Sequence, residues 1–251
     1  MTTAIVIPIY KPTLNPIEKK RLMVTFTSNS QVEKYFLYPS NLDLAAYEPF
    51  LSKAKLIPWE SSCFLSRDHY NRLMLSRELY LELKNKMDNV LICQTDAFLI
   101  RNIHDLENFN FDYIGASWNP AYVVSHLGRR LVINRPLLSR LFPSTHLTAG
   151  NGGLSFRKVN SMIKIIEIMK RDFYWPSLVS LKERKMNEDL AFVLFGIKEE
   201  FRIADKFVAD KIFIESSPFK VENLSTLYGF HALGRSNPEL ENFILKNLIS
   251  S

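Results

Sequence analysis

Two cysteines in 251 residues leave no material for a disulfide framework. Cys93 lies in the apolar run Val90-Leu91-Ile92-Cys93, where a free thiol behaves as a small buried hydrophobe. That usage fits a reducing compartment. No stretch approaches the roughly 18 apolar residues of a membrane-spanning helix. The start, Met1-Thr2-Thr3-Ala4, has no basic segment ahead of a long apolar one, so no secretory signal is expected. The expected location is the cytoplasm. Low-complexity linkers, internal repeats and long charge blocks are also missing, so a single domain over 1–251 is expected. Glycine is scarce: there are eight, and three of them fall together at 150–153.

Apolar residues are plentiful. They make up 47% of the chain, enough for a sizeable core without covalent staples. A net charge of +6 favours anionic partners such as nucleotides, lipid headgroups or nucleic acid. Basic residues are scattered, apart from Lys19-Lys20-Arg21 and the series Arg129, Arg130, Arg135 and Arg140. Nothing besides charge speaks for nucleic acid, and none is expected as a partner.

Ile5 to Tyr10 reads as a buried first strand, stopped by Lys11-Pro12. Lys34–Leu37 and Lys55–Ile57 are predicted strands, and Asn89–Cys93 a central one, short, apolar and bounded by polar residues. A long helix is predicted from Arg67 to Lys86, another from Lys158 to Lys170, a third starting at Glu188 and a fourth over 238–249. Further strands are predicted at 112–116, 201–204 and 211–215. Segment 118–148 lacks periodicity and is expected to be an irregular binding loop or lid. Alternation of strand and helix patterns through the first half argues α/β.

Four places carry chemistry. Asp96, in Gln94-Thr95-Asp96-Ala97, directly follows the central strand, where α/β sheets bind ligands and a carboxylate can hold a divalent ion. It could equally cap a turn. Gly150-Asn151-Gly152-Gly153 lets backbone approach a ligand, or makes a hairpin turn. It is not a dinucleotide fingerprint, because Ser155 stands where the third glycine belongs. In Asn187-Glu188-Asp189 an acidic residue is either a general base or a partner of the helix dipole. His231 is a structural histidine or a metal ligand.

Together and in this order, these places resemble the core of GT-A glycosyltransferases. That core carries an Asp-x-Asp-type motif after a central strand, a glycine-rich loop, an x-Glu-Asp motif and a late histidine. The chain also resembles a little-characterised microbial family assigned to glycosyl transfer. Pro8 to Lys11, Tyr70 to Ser76, Gln94 to Phe98, Tyr113 to Trp118, Gly150 to Lys158 and Asn187 to Asp189 carry that second likeness.

The resemblance implies a GT-A-like α/β domain, with a mostly parallel central sheet flanked by helices. It implies transfer of a sugar, with inversion, from a nucleotide-sugar donor such as a UDP-sugar to a hydroxyl of a glycan or lipid-linked glycan, in surface polysaccharide synthesis. Peripheral contact with the inner face of the membrane is then expected. Pro8, Ile9, Tyr10 and Lys11 would lie near the nucleotide, and Tyr70 and Asn71 near the donor. Gln94, Thr95 and Asp96 would face the diphosphate, with Asn151, Gly152, Gly153 and Glu188 around the sugar. Asp96 and His231 would hold Mn²⁺ or Mg²⁺, and Asp189 would be the base. Gln94 departs from the pattern: a neutral amide replaces the first aspartate, which leaves metal dependence open. The competing classes are a nucleotide-binding oxidoreductase and a non-catalytic sugar-nucleotide-binding module.

Overall fold

The computed structural model describes residues 2–127, 130–134, 136–171, 187–215, 224 and 226–250. The strands are β1 (Thr3–Pro8), β2 (Glu33–Pro39), β3 (Lys55–Trp59), β4 (Asn89–Cys93), β5 (Ala97–Leu99), β6 (Tyr113–Leu127), β7 (Arg130–Ile133), β8 (Ser144–Lys158), β9 (Phe213–Glu215) and β10 (Gly229–His231). The helices are α1 (Pro16–Ser28), α2 (Glu48–Leu51), α3 (Arg67–Met74), α4 (Arg77–Lys84), α5 (Pro136–Leu141) and α6 (Val159–Arg171). After them come α7 (Glu188–Lys198), α8 (Lys206–Ala209), α9 (Leu233–Ser236) and α10 (Pro238–Ser250).

Seven strands form the main sheet in the order β3-β2-β1-β4-β8-β6-β7. Strands β3, β2, β1 and β4 run parallel. Beyond β4 the pairing turns antiparallel, through β8 and β6 to β7. Both faces of β1 and β4 are buried, which is why these strands read as continuous apolar runs. Alternation along β1 sends Ala4 and Val6 to one core and Ile5 and Ile7 to the other. Helices α4, α6 and α7 cover the first face, through residues such as Leu79, Leu83, Met162, Ile166 and Phe192. Helix α1 contributes Leu22 and Phe26 to the second. Burying each such side chain contributes roughly 1.5–3 kcal/mol. A small sheet, β5-β10-β9, packs with α1 and α10 around Phe98, Phe230 and Leu245.

The α/β expectation holds, and several details differ. The long helix predicted over Arg67–Lys86 is two helices. Leu75 ends α3, and the Ser76 hydroxyl accepts from Leu79 N to start α4 afresh. Segment 118–148 is not an irregular loop. Its described residues are the outer half of the β6–β8 hairpin, with β7 and α5 at its end. Register shifts between Gly115 and Tyr122 break the alternation that would have revealed these strands. Residues 201–204 make one isolated bridge, Tyr113 to Ile203, rather than a strand. Helix α1 escapes periodicity because its charges run around it, with Glu18 and Arg21 buried. Its signal is a capping box: the Asn15 side chain accepts from Glu18 N, and Glu18 accepts from Asn15 N. Both cysteines are free, and burial pushes the Cys93 thiol up to about 12.

Candidate active site

A cleft of about 700 Å³ opens where β1 and β4 end. Chain leaving the carboxyl ends of parallel strands has no ladder partners, so its polar groups are free to meet a ligand. Pro8, Tyr10 and Lys11 enter from β1, and Gln94, Thr95 and Asp96 from β4. Tyr70 and Asn71 come from α3, and Asn151, Gly152 and Gly153 from β8. Glu188 and Asp189 come from the start of α7, and His231 from the end of β10. Ile9 does not reach the cleft. Its side chain is fully buried in the core, and its N–H donates to Leu37 O at 2.9 Å.

The glycines sit in a strand, not a hairpin turn. Gly153 O accepts from Gln94 N at 2.9 Å, which extends the β4–β8 ladder. Among 150–153 only Gly150 has a positive φ, at 136°. Gly152 and Gly153 are needed for close approach: a Cβ on Gly153 would overlap His231 Nε2, and one on Gly152 would overlap Glu188 Oε1. The strand continues to Lys158, so these glycines do not open a helix as a dinucleotide loop would.

At one end of the cleft, His231 is clasped by two carboxylates. Its Nδ1 meets Glu215 Oε1 at 3.1 Å, and Nε2 faces Asp96 Oδ1 at 3.3 Å without hydrogen-bond alignment. Burial pulls the His231 pKa down, but the two carboxylates, Asp96 and Glu215, outweigh it and set it at about 9. Burial pushes Asp96 up, while His231, then Arg235 and Arg21, hold it at about 2. Arg235 contacts Asp96 Oδ2 at 2.6 Å. Behind it, Arg21 forks onto both oxygens of Glu241 at 2.9 Å and reaches Thr95 O at 3.4 Å.

At the other end, Gly152 N donates to Asp189 Oδ2 at 3.2 Å, and Leu190 N donates to Oδ1 at 2.7 Å. Burial first, and then the charge of Glu188, raise the Asp189 pKa to about 7. Glu188 is tied to Arg157, which is fully buried, at 3.2 Å. Arg157 also donates to Tyr80 Oη (2.8 Å), Ser155 Oγ (2.9 Å) and Gly152 O (3.2 Å), and lies over the Tyr113 and Phe192 rings. Asn187 Oδ1 accepts from Asn71 at 3.3 Å, which joins α7 to α3.

Asp96 and His231 are the residues that would hold a divalent cation at this end, and His231 would first have to give up the proton that Asp96 and Glu215 hold on it at neutral pH. His231 Nε2 and Tyr70 Oη are buried polar atoms without an aligned partner. Glu215 steadies the far ring nitrogen, as second partners of metal-bound histidines do. Among the described residues no group of three or more His, Cys, Asp and Glu is arranged to hold a metal ion. A cation here would take its remaining ligands from phosphate and water.

Sequence reasoning missed Arg235, Arg21, Glu215 and Arg157. Arg235 follows Gly234 shortly after His231, but its partner Asp96 lies 139 residues away. Of the arginine series, Arg129 and Arg135 lie outside the described residues. Arg130 begins β7, and Arg140 is exposed on α5.

This architecture is a GT-A-like glycosyltransferase fold. The crystal structure of mouse xyloside xylosyltransferase 1, in its apo form, is similar with a TM-score of 0.52. The likeness covers 82% of this chain and 85% of that one at 12% sequence identity, so it speaks to fold alone. The chain belongs to the family described as "Protein of unknown function (DUF5672)", which it matches over residues 53–231. No curated protein sequence matches it.

Proposed function

We propose that this protein is a nucleotide-sugar-dependent glycosyltransferase that moves a sugar from a UDP-sugar to a glycan hydroxyl with inversion. The observation that carries the reading is one cleft with a diphosphate-suited end and a basic carboxylate at the other. Asp96, His231 and Arg235 make the first end; Asp189 makes the second. The strand Gly150–Gly153 runs between them, and the missing side chains of Gly153 and Gly152 let His231 and Glu188 pack against its backbone.

Asp189 accepts the acceptor's hydroxyl proton as the oxygen bonds to the anomeric carbon and the carbon–phosphate oxygen bond breaks. The nucleoside diphosphate leaves with the bonding electrons. Burial and then the charge of Glu188 hold the Asp189 pKa at about 7, which makes it a base near neutral pH. Arg235, freed from Asp96, would turn its guanidinium fork to the phosphate oxygens. A divalent cation between Asp96 and His231 would supply charge neutralisation for the leaving diphosphate. The acceptor reading, a surface or lipid-linked glycan, rests on the resemblance and on the arginine-rich sequence between β6 and β8.

The test is a thermal-shift series with nucleotide sugars and diphosphates, each with Mn²⁺ or EDTA, because ligands that bind only the folded chain raise its melting temperature. A UDP-sugar should shift it saturably and be turned over to UDP. If no nucleotide sugar or diphosphate shifts it at millimolar concentration, the reading fails.

A further inference from the structure

We infer that the outer end of the β6–β8 hairpin is a docking surface for an anionic lipid bilayer. The first observation is charge. From Tyr113 to Ile166 the sequence holds no aspartate or glutamate, while Arg129, Arg130, Arg135 and Arg140 crowd its middle. Arg140 is exposed on α5. A span this long with one sign of charge attracts anionic headgroups through the surface potential.

The second observation is apolar. Leu137, Leu141 and Phe142 are 69%, 65% and 41% exposed, within six consecutive residues. Leu137 and Leu141 are four apart on α5, so they share a face, and Arg140 lies beside them. Exposed leucines single out the partner. A nucleic acid offers phosphate but no apolar layer, and a second copy would bring the same positive sign. An anionic bilayer offers headgroups to Arg140 and acyl chains to the leucines and phenylalanine, the arrangement that interfacial helices use.

The third observation is placement. Strand β8 runs from Ser144 at this end to the glycines of the cleft. Eight residues of strand separate Ser144 from Gly152, roughly 25 Å at about 3.3 Å per residue. A bilayer at the tip therefore leaves the cleft uncovered. The inference needs only charge and exposure. It stands whether or not the proposed sugar transfer is correct.

The experiment is co-sedimentation of the full chain with vesicles of phosphatidylcholine alone and of phosphatidylcholine with phosphatidylglycerol. We expect binding to the anionic vesicles, little to the neutral ones, and release by high salt. The triple variant Leu137→Ser, Leu141→Ser, Phe142→Ser should lose binding by roughly tenfold or more, with an unchanged melting temperature because these side chains are exposed. Arg140→Glu should weaken binding further at low salt. Three results would overturn the proposal: no binding to anionic vesicles, equal binding by the triple variant, or a concentration-dependent dimer that the triple variant abolishes. Competition by an oligonucleotide that the triple variant binds as well as wild type would assign the surface to nucleic acid instead.

Discussion

Arg235 and Asp96 form a 2.6 Å ion pair across 139 residues of sequence, on the same carboxylate that faces His231. Arg235 is largely exposed, so the pair adds about 0–1 kcal/mol to folding. Its effect is on ligands: Asp96 already has a cation. Any metal ion must displace Arg235 from Oδ2 before it can use both oxygens.

Arg235→Ala should therefore separate two kinds of diphosphate binding. Affinity for UDP in EDTA should fall, because a phosphate partner is gone. The Mn²⁺-dependent part should grow, because Asp96 is unopposed. Calorimetry of UDP with and without Mn²⁺ reads both. If the variant binds UDP as wild type in both conditions, Arg235 has no part in the site. Asp96→Ala should lower affinity in either condition.

Asp189 must be ionised to take a proton, and its pKa is about 7. Turnover should therefore rise with pH through about 7 and level off above it. Glu188→Gln removes the negative charge that helps hold Asp189 up, so the rising limb should move to lower pH. Asp189→Asn should retain fold and donor binding and lower kcat by roughly 10²-fold or more. A pH–rate profile of the three proteins and the anomeric configuration of the product check this. A product that keeps the donor's configuration, or near-normal kcat in Asp189→Asn, would remove Asp189 as the base.

Gly153→Ala should act on the cation end. The new methyl overlaps His231 Nε2, and overpacking of this kind costs about 1–3 kcal/mol. The ring has to leave Asp96, so the UDP-induced rise in melting temperature should shrink. Gly152→Ala should instead displace Glu188 and disturb catalysis while leaving UDP binding closer to normal. Equal losses of UDP binding in both variants would contradict this division of the strand.

Arg157→Met leaves Glu188 buried with no cation. Breaking a buried pair from one side typically costs about 3–5 kcal/mol. The double variant Arg157→Met, Glu188→Gln should recover part of that loss. Urea denaturation of the two single variants and the double variant gives the coupling. Strict additivity would show that Arg157 stabilises through Tyr80, Gly152 and the rings rather than through Glu188.

Legibility in the sequence followed burial and locality. Strands β1 and β4 stood out because both of their faces are buried, and α6 because one face is. Asp96 stood out because it follows a strand directly. The β6–β8 hairpin was hidden, since its register shifts and half-exposed outer residues erase alternation. Helix α1 was hidden by charges that tertiary partners make tolerable, Glu18 with Lys11 and Arg21 with Glu241. Arg157 was in view beside the glycines, yet nothing local marks it as the support of Glu188. Ile9 follows Pro8 in sequence but turns inward, because the chain is still bonded to β2 there.

The fork of Arg21 onto Glu241 has a consequence for synthesis. A ribosome delivers Arg21 220 residues before its carboxylate partner. His231 and Arg235, the partners of Asp96, also arrive more than 130 residues after it. Strands β1 to β4 can pair while the rest is still being made, but the Asp96 end of the cleft closes only after Glu241 emerges. Ligand binding at this end therefore waits for the segment that carries His231, Arg235 and Glu241.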